Sequence, residues 1–312
     1  MSTYPEHYTP EDIRQVEQIK AWMAERNYKQ AALARLARVS SSSLSQILGG
    51  TYATAPGKLL VNVANAMKHA DDTASDTVAA VETSVFRVAN TAFQMARRYR
   101  NFAVVSAFVG TGKTFAAKHY QRTTPNTYLI EATPTMTVQS LIKLLARTVA
   151  GFDGKGSIDD KFRAIVDSLV NTDSLLIVDE ADTLTPHVLH TLRRLRDLAN
   201  VGIVLCGTEH LTGLIRPAHG QFDQIRSRAG FWPETIRGIT ADDAAALVQA
   251  AFGDEDISDE VIARLFAYCK GSARMLIEGL VAAITQFRNG RELNVQLVDA
   301  VAKQALCLQS VA

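Results

Sequence analysis

Two short runs of this 312-residue sequence hold side chains suited to phosphoryl chemistry. The first is Ala107-Phe108-Val109-Gly110-Thr111-Gly112-Lys113-Thr114. Gly110 and Gly112 let backbone N–H groups close around phosphate oxygens with no Cβ in the way. Val109 and Thr111 complete the loop. Lys113 is placed to reach the β- and γ-phosphates of a nucleotide, and Thr114 offers a hydroxyl to Mg²⁺. The second run, Leu175-Leu176-Ile177-Val178-Asp179-Glu180, is an apolar stretch ending in two acids, with Asp179 66 residues beyond Lys113. Asp179 suits Mg²⁺ held through water, and Glu180 suits the orientation and deprotonation of an attacking water. These are a Walker A loop and a Walker B strand, and together they point to ATP with Mg²⁺.

The surrounding elements must hold the two runs side by side. Residues 102–105 are continuously apolar and read as a buried parallel strand, and helix-forming composition follows from Thr114. Ala107 stands where such loops usually have their first glycine, so its φ has to suit a Cβ. A second strand is expected at 127–132, helices at 138–150 and 158–170, and a third strand at 174–182. The spacing leaves room for one strand between the two motifs, as in the additional-strand class of P-loop ATPases. A helix carrying Phe86, Val88, Phe93, Met95 and Tyr99 is expected before the first strand.

Composition is that of a globular chain, 47% hydrophobic and 21% charged. No apolar run approaches the ~18–20 residues that cross a bilayer, and the first ten residues lack a signal-peptide core. Cys206, Cys269 and Cys307 are widely spaced without metal-ligand neighbours, which suits a reducing, cytoplasmic setting. The net charge of +1 is unevenly spread. Residues 71–82 carry four acids and no base, whereas 83–150 carry nine bases and one acid, Glu131. A basic block in an otherwise acidic core suggests a polyanion partner.

Domains are expected at 1–69, 83–239 and 240–312, with 70–82 as a linker. Within the first, Leu33, Val39, Leu44 and Ile47 fall at the buried positions of two crossing helices, and small Ala34 lets them approach. This stretch resembles the helix-turn-helix of phage-repressor-like proteins. Its second helix, 41–48, would enter a DNA groove with Ser42, Ser43 and Gln46 but no Arg or Lys, so backbone contact should dominate over guanine readout. Lys155, in the loop 151–156, is a further DNA-contact candidate.

Beyond Walker B, a fourth strand at 202–206 ends on Gly207-Thr208, Arg226 and Arg228 follow, and Lys270-Gly271-Ser272-Ala273-Arg274 divides a tail of four helical stretches. In this order the motifs resemble an AAA+ ATPase: an α/β P-loop core of parallel strands flanked by helices, with a C-terminal helical lid. The resemblance implies that Thr208 is the sensor-1 residue, bonding the γ-phosphate or the water. It implies Arg228, or failing that Arg226, as an arginine finger acting on a neighbouring subunit, and Arg274 as the sensor-2 residue facing the γ-phosphate.

With the amino-terminal module, the whole order resembles the Mu B-like family of phage AAA+ transposition proteins. That implies ATP-dependent, largely non-sequence-specific binding of double-stranded DNA, assembly into a homo-oligomer or helical filament, and delivery of target DNA to a transposase. It also implies a place in the cytoplasm of a bacterial host, on the nucleoid. A helicase loader or replication initiator is one rival reading, and a nucleotide-switched transcription regulator is another. An intact Glu180 argues against a pure binding module.

Overall fold

The computed structural model describes residues 4–5, 7–26, 28, 30–37, 39–75, 81–152, 156–215 and 223–309. The chain divides into two compact units, Met1–Ala80 and Val81–Ala312.

The first unit is helical: α1 (Pro10–Glu25), α2 (Gln30–Leu36), α3 (Ser41–Gly49) and α4 (Gly57–Ser75). Thr9 and Asp12 form a reciprocal capping box that starts α1, and Ser40 caps α3 by accepting from the Ser43 N–H. Leu33, Val39, Leu44 and Ile47 are buried in one cluster with Ala34, as their spacing predicts. The expected linker is corrected at its start. Helix α4 continues through residues 70–75, and 76–80 lie outside the described residues.

The second unit is built on five parallel strands, β1 (Phe102–Ser106), β2 (Thr127–Glu131), β3 (Leu175–Asp179), β4 (Gly202–Gly207) and β5 (Ala229–Phe231). Their order across the sheet is β2-β3-β4-β1-β5, so one strand, β4, separates the two motif-bearing strands. Alternate residues face alternate layers. Phe102, Val104, Leu176 and Val178 join one core, whereas Ala103, Val105, Leu175 and Ile177 join the other. Helices α5 (Ser84–Tyr99) and α6 (Lys113–Thr123) supply the second of these layers. Helices α7 (Val138–Val149), α8 (Ile158–Leu169) and α9 (Pro186–Ala199) cover the first. The short helices α10 (Glu209–Ile215) and α11 (Asp223–Arg226) follow β4.

Two expectations are adjusted, and one strand is added. The third strand stops at Asp179, not Asp182, because Glu180 turns the chain with φ +54° into a 3₁₀ turn, Ala181–Thr183. β5 has only three residues, Ala-Gly-Phe, and owes its strand geometry to pairing with β1 rather than to its own propensity. The buried stripe of α5 is Val85, Phe86, Ala89, Ala92, Phe93 and Ala96, while Tyr99 is exposed.

The tail forms the expected helical lid: α12 (Ala241–Phe252), α13 (Asp259–Cys269), a π-helical turn (Met275–Val281) running into α14 (Ala282–Phe287), and α15 (Val295–Gln304). Its core contains Val248, Leu265, Leu276, Leu280 and Val298. Val85 from α5 is part of that lid core, and the Ser84 N–H donates to the Asp243 carboxylate at 2.7 Å. The start of α5 therefore belongs to the lid and its remainder to the sheet. No helix among the described residues is long and apolar enough to cross a membrane.

Phe93 is fully buried between α5 and the sheet and packs against Tyr120 with ring centroids 5.1 Å apart. Phe93→Ala should lower unfolding stability by about 3–5 kcal/mol. The denaturant midpoint reads it, and a loss below about 1 kcal/mol would contradict this packing.

Candidate nucleotide site

Parallel strands deliver their carboxyl ends to one edge, where ligands of open α/β sheets bind. Here that edge gathers the loop after β1, the acids after β3 and Thr208 after β4. The loop has the backbone its sequence demands. Gly110 and Gly112 lie at φ +78° and +105°, in the left-handed region, whereas Ala107 is not among the positive-φ residues. Thr111 is buried and its hydroxyl donates to the Phe108 carbonyl at 2.9 Å, closing the loop on itself. Val109 stays exposed.

Lys113 opens α6 and is only 8% exposed. Its ammonium donates to the carbonyls of Ala107 (2.7 Å) and Phe108 (3.0 Å). Burial holds its pKa below the ordinary lysine value, with the Asp179 carboxylate pulling it back up. Thr114 donates its hydroxyl to Asp179 Oδ2 at 2.6 Å. The two expected metal ligands, 65 residues apart in sequence, thus touch. Beneath them Cys206 is fully buried, and burial pushes its thiol pKa up, so it packs without reacting.

Glu180 is exposed, with its N–H donating to the carboxylate of Asp179 at 3.0 Å. Its left-handed backbone is uncommon for a residue with a Cβ and is held by Thr183, whose hydroxyl donates to the Glu180 carbonyl. Thr208 follows β4 and is half-buried, its N–H and hydroxyl both donating to Asp182 at 2.9 Å. The sequence reading did not single out Asp182. It stood as the last residue of a strand, and only the turn at Glu180 carries it under Thr208.

The lid meets the loop through backbone. The Arg274 N–H donates to the Gly110 carbonyl at 2.9 Å, and its exposed side chain lies 3.7 Å from Glu278. A cleft of about 280 Å³ separates the two, lined by Val109, Gly110, Ser272, Arg274, Met275, Glu278, Gly279 and Leu306.

Arg228 is elsewhere. Its carbonyl accepts from the N–H of Phe102, at the amino end of β1, and its guanidinium pairs with Asp197 of α9 at 2.9 Å. Five strand residues separate it from its own loop, about 17 Å. It is therefore not part of its own subunit's phosphate site. Arg226, at the end of α11, is exposed. In the first unit Ser42 and Gln46 are exposed on α3, while the Ser43 hydroxyl accepts from Ser40 at 2.8 Å. Lys155 lies outside the described residues.

Comparison with known proteins agrees with this geometry. A family model described as an AAA domain matches residues 96–215, from the end of α5 through α10. The chain is 28% identical over 224 residues to the Mu-like prophage FluMu DNA transposition protein B of Haemophilus influenzae, covering 68% of this chain and 77% of that one. It is 34% identical over 132 residues to the ATP-dependent target DNA activator B of Escherichia phage Mu, 42% of each chain. That second match thus spans less than half of the phage protein's length. Among solved structures, the ORC2 protein of Aeropyrum pernix is similar in fold, with a TM-score of 0.52 at 19% identity over 69% of this chain and 67% of that one.

If the loop is the phosphate site, Lys113→Ala should abolish stabilisation by ATP. A ligand at 100 times its Kd adds about 2.7 kcal/mol to a folded protein. Thermal melts with and without ATP read this, and an undiminished ATP-induced rise in Tm in the variant would exclude Lys113 as a phosphate ligand.

Proposed function

We infer that this Mu B-like AAA+ ATPase binds double-stranded DNA in an ATP-dependent way, assembles on it, and presents it as target to a transposase. The observation that carries the ATPase half is the Thr114–Asp179 hydrogen bond, which joins the two motifs at the edge where Lys113 and Glu180 also end. The DNA half is supported by the printed names of the relatives, by the basic block and by the two-unit organisation.

In the proposed mechanism the loop N–H groups and Lys113 hold the phosphates of ATP, the lysine leaving the carbonyls it now bonds. The donor set suits Mg²⁺, which favours one carboxylate, a hydroxyl and substrate phosphates over an all-protein cage. Among the described residues no three His, Cys, Asp or Glu side chains cluster to hold any other metal. Thr114 and Asp179 would hold the ion, which supplies charge neutralisation at the phosphates when bound. Glu180 accepts a proton from the attacking water, and Arg274, latched to Gly110 through its backbone, faces the terminal phosphate.

Arg228, or failing that Arg226, acts on a neighbouring subunit's nucleotide, consistent with the distance of Arg228 from its own loop. Helices α2 and α3 form a helix-turn-helix that presents Ser42, Ser43 and Gln46 to DNA. Within 83–150, Lys113 is spent in the loop, Arg97 on Asp173 and Lys118 on Glu131. Arg87, Arg98, Arg100, Arg122, Lys143 and Arg147 remain exposed and supply the positive surface. Phosphate contacts from such residues give binding that falls steeply with salt and depends little on sequence.

Glu180→Gln should bind ATP yet hydrolyse it at least about 100-fold more slowly, retaining DNA while ATP lasts. Single-turnover hydrolysis and DNA retention on a filter measure both, and hydrolysis at the parental rate would remove Glu180 from the mechanism. Arg228→Ala should bind ATP normally and lose roughly 10³-fold in turnover. Mixing it with Lys113→Ala protein should restore activity, since one supplies the pocket and the other the finger. A dilute monomer at full rate, with Arg228→Ala unaffected, would refute assembly-dependent hydrolysis.

A further inference from the structure

Asp182 clasps Thr208 with both carboxylate oxygens. Oδ1 accepts from the backbone N–H and Oδ2 from the hydroxyl, each at 2.9 Å. The neighbourhood is shaped for this contact: a Cβ on Gly207 would collide with Asp182 Oδ1, so a side chain there would displace the carboxylate. The other end of the Thr208 peptide is fixed as well. Its carbonyl accepts from the buried Ser106 hydroxyl at 2.8 Å, at the last residue of β1. Thr208 is thus held through its N–H, its C=O and its side chain.

Asp182 belongs to the same 3₁₀ turn that follows Glu180, in which the Thr183 N–H and hydroxyl both donate to the Glu180 carbonyl. The clasp therefore ties the turn carrying the proposed base to the residue at the end of β4.

The polarity of the clasp has a chemical consequence. A threonine hydroxyl has one proton and two lone pairs, and a carboxylate oxygen only accepts. In the Asp182 contact Thr208 is the donor, so its single proton is committed. What Oγ1 has left is lone pairs, one of them approached by the His210 N–H at 3.4 Å. A phosphate oxygen is itself an acceptor and finds no donor there. A water molecule has protons to give.

We propose that Asp182 is a positioning residue that fixes Thr208 as a hydrogen-bond acceptor, so that Thr208 holds the attacking water and not the terminal phosphate of ATP. This rests on the nucleotide reading above. The step balances without another reactant. The water oxygen bonds to the terminal phosphorus as the bond to the bridging oxygen breaks. One water proton passes to the Glu180 carboxylate, the other stays directed at Thr208 Oγ1 and remains on the product phosphate, and the bridging electron pair leaves with ADP.

The test compares Thr208→Val, Thr208→Ser, Asp182→Asn and the Thr208→Val/Asp182→Asn double variant. Titrations with ADP and a non-hydrolysable ATP analogue read the affinity ratio, and single-turnover assays read the chemical step. Thr208→Val should change the analogue-to-ADP ratio by less than about threefold and slow hydrolysis at least about tenfold, on the scale of losing one aligned hydrogen bond in a reacting site. Asp182→Asn should do the same, and the double variant should be no slower than the slower single one, because the two residues act as a unit. Thr208→Ser keeps the hydroxyl and should retain the rate within about threefold. It also keeps the proposal falsifiable if Asp182→Asn fails to fold.

A selective loss of analogue affinity in Thr208→Val would make Thr208 a donor to phosphate and overturn the proposal. Additive losses, or a Thr208→Ser variant as slow as Thr208→Val, would overturn it too. Parental hydrolysis in Glu180→Gln would instead refute the underlying nucleotide mechanism, so the two failures are distinguishable.

Discussion

A buried ammonium has to be surrounded by oxygens, because taking a charge out of water without them costs several kcal/mol. Lys113 meets that constraint with the carbonyls of Ala107 and Phe108, and the loop conformation follows from it. The chain has to turn back over its own lysine, which requires left-handed backbone at Gly110 and Gly112. It also has to leave β1 at the sheet edge where β3 and β4 end. The arrangement suits a ligand that brings its own oxygens, since phosphates can take the carbonyls' place while the carbonyls turn to other partners.

The parallel sheet converts that local constraint into a site. With β4 between β1 and β3, Asp179 lies across from Thr114 at hydrogen-bond distance, although no local sequence signal links them. Polar bonds then run along the edge. Asp182 holds Thr208, Ser106 holds the Thr208 carbonyl, and the Thr235 hydroxyl donates to Ser106 at 3.2 Å. The chain after Thr235 leads into the lid, where Arg274 returns to Gly110. The acids after β3, the phosphate loop and the lid are therefore mechanically continuous.

Much of this was legible in the sequence. Buried parallel strands are uninterrupted apolar runs, so β1, β2 and β4 were placed to within one residue and β3 to within three at its end, and both motifs announced their spacing. The tail was legible as four helical stretches. What was not legible depends on tertiary contact. Ala229-Gly230-Phe231 has no strand signal and becomes β5 by pairing with β1. Residues 70–75 carry two acids and little apolar spacing, yet the backbone of α4 continues through them. Asp182 looked like the tail of a strand until Glu180 turned the chain. Its contact with Thr208, 26 residues on, arises only in the fold.

The most direct measurement of the central claim is an experimental structure of the protein with a non-hydrolysable ATP analogue and Mg²⁺. The phosphates should lie on the N–H groups of residues 110–114, with Lys113 Nζ moved from the Ala107 and Phe108 carbonyls onto phosphate oxygens and the ion between Thr114 and Asp179. A nucleotide bound at another edge of the sheet, or a lysine still on those carbonyls with the analogue in place, would contradict the assignment.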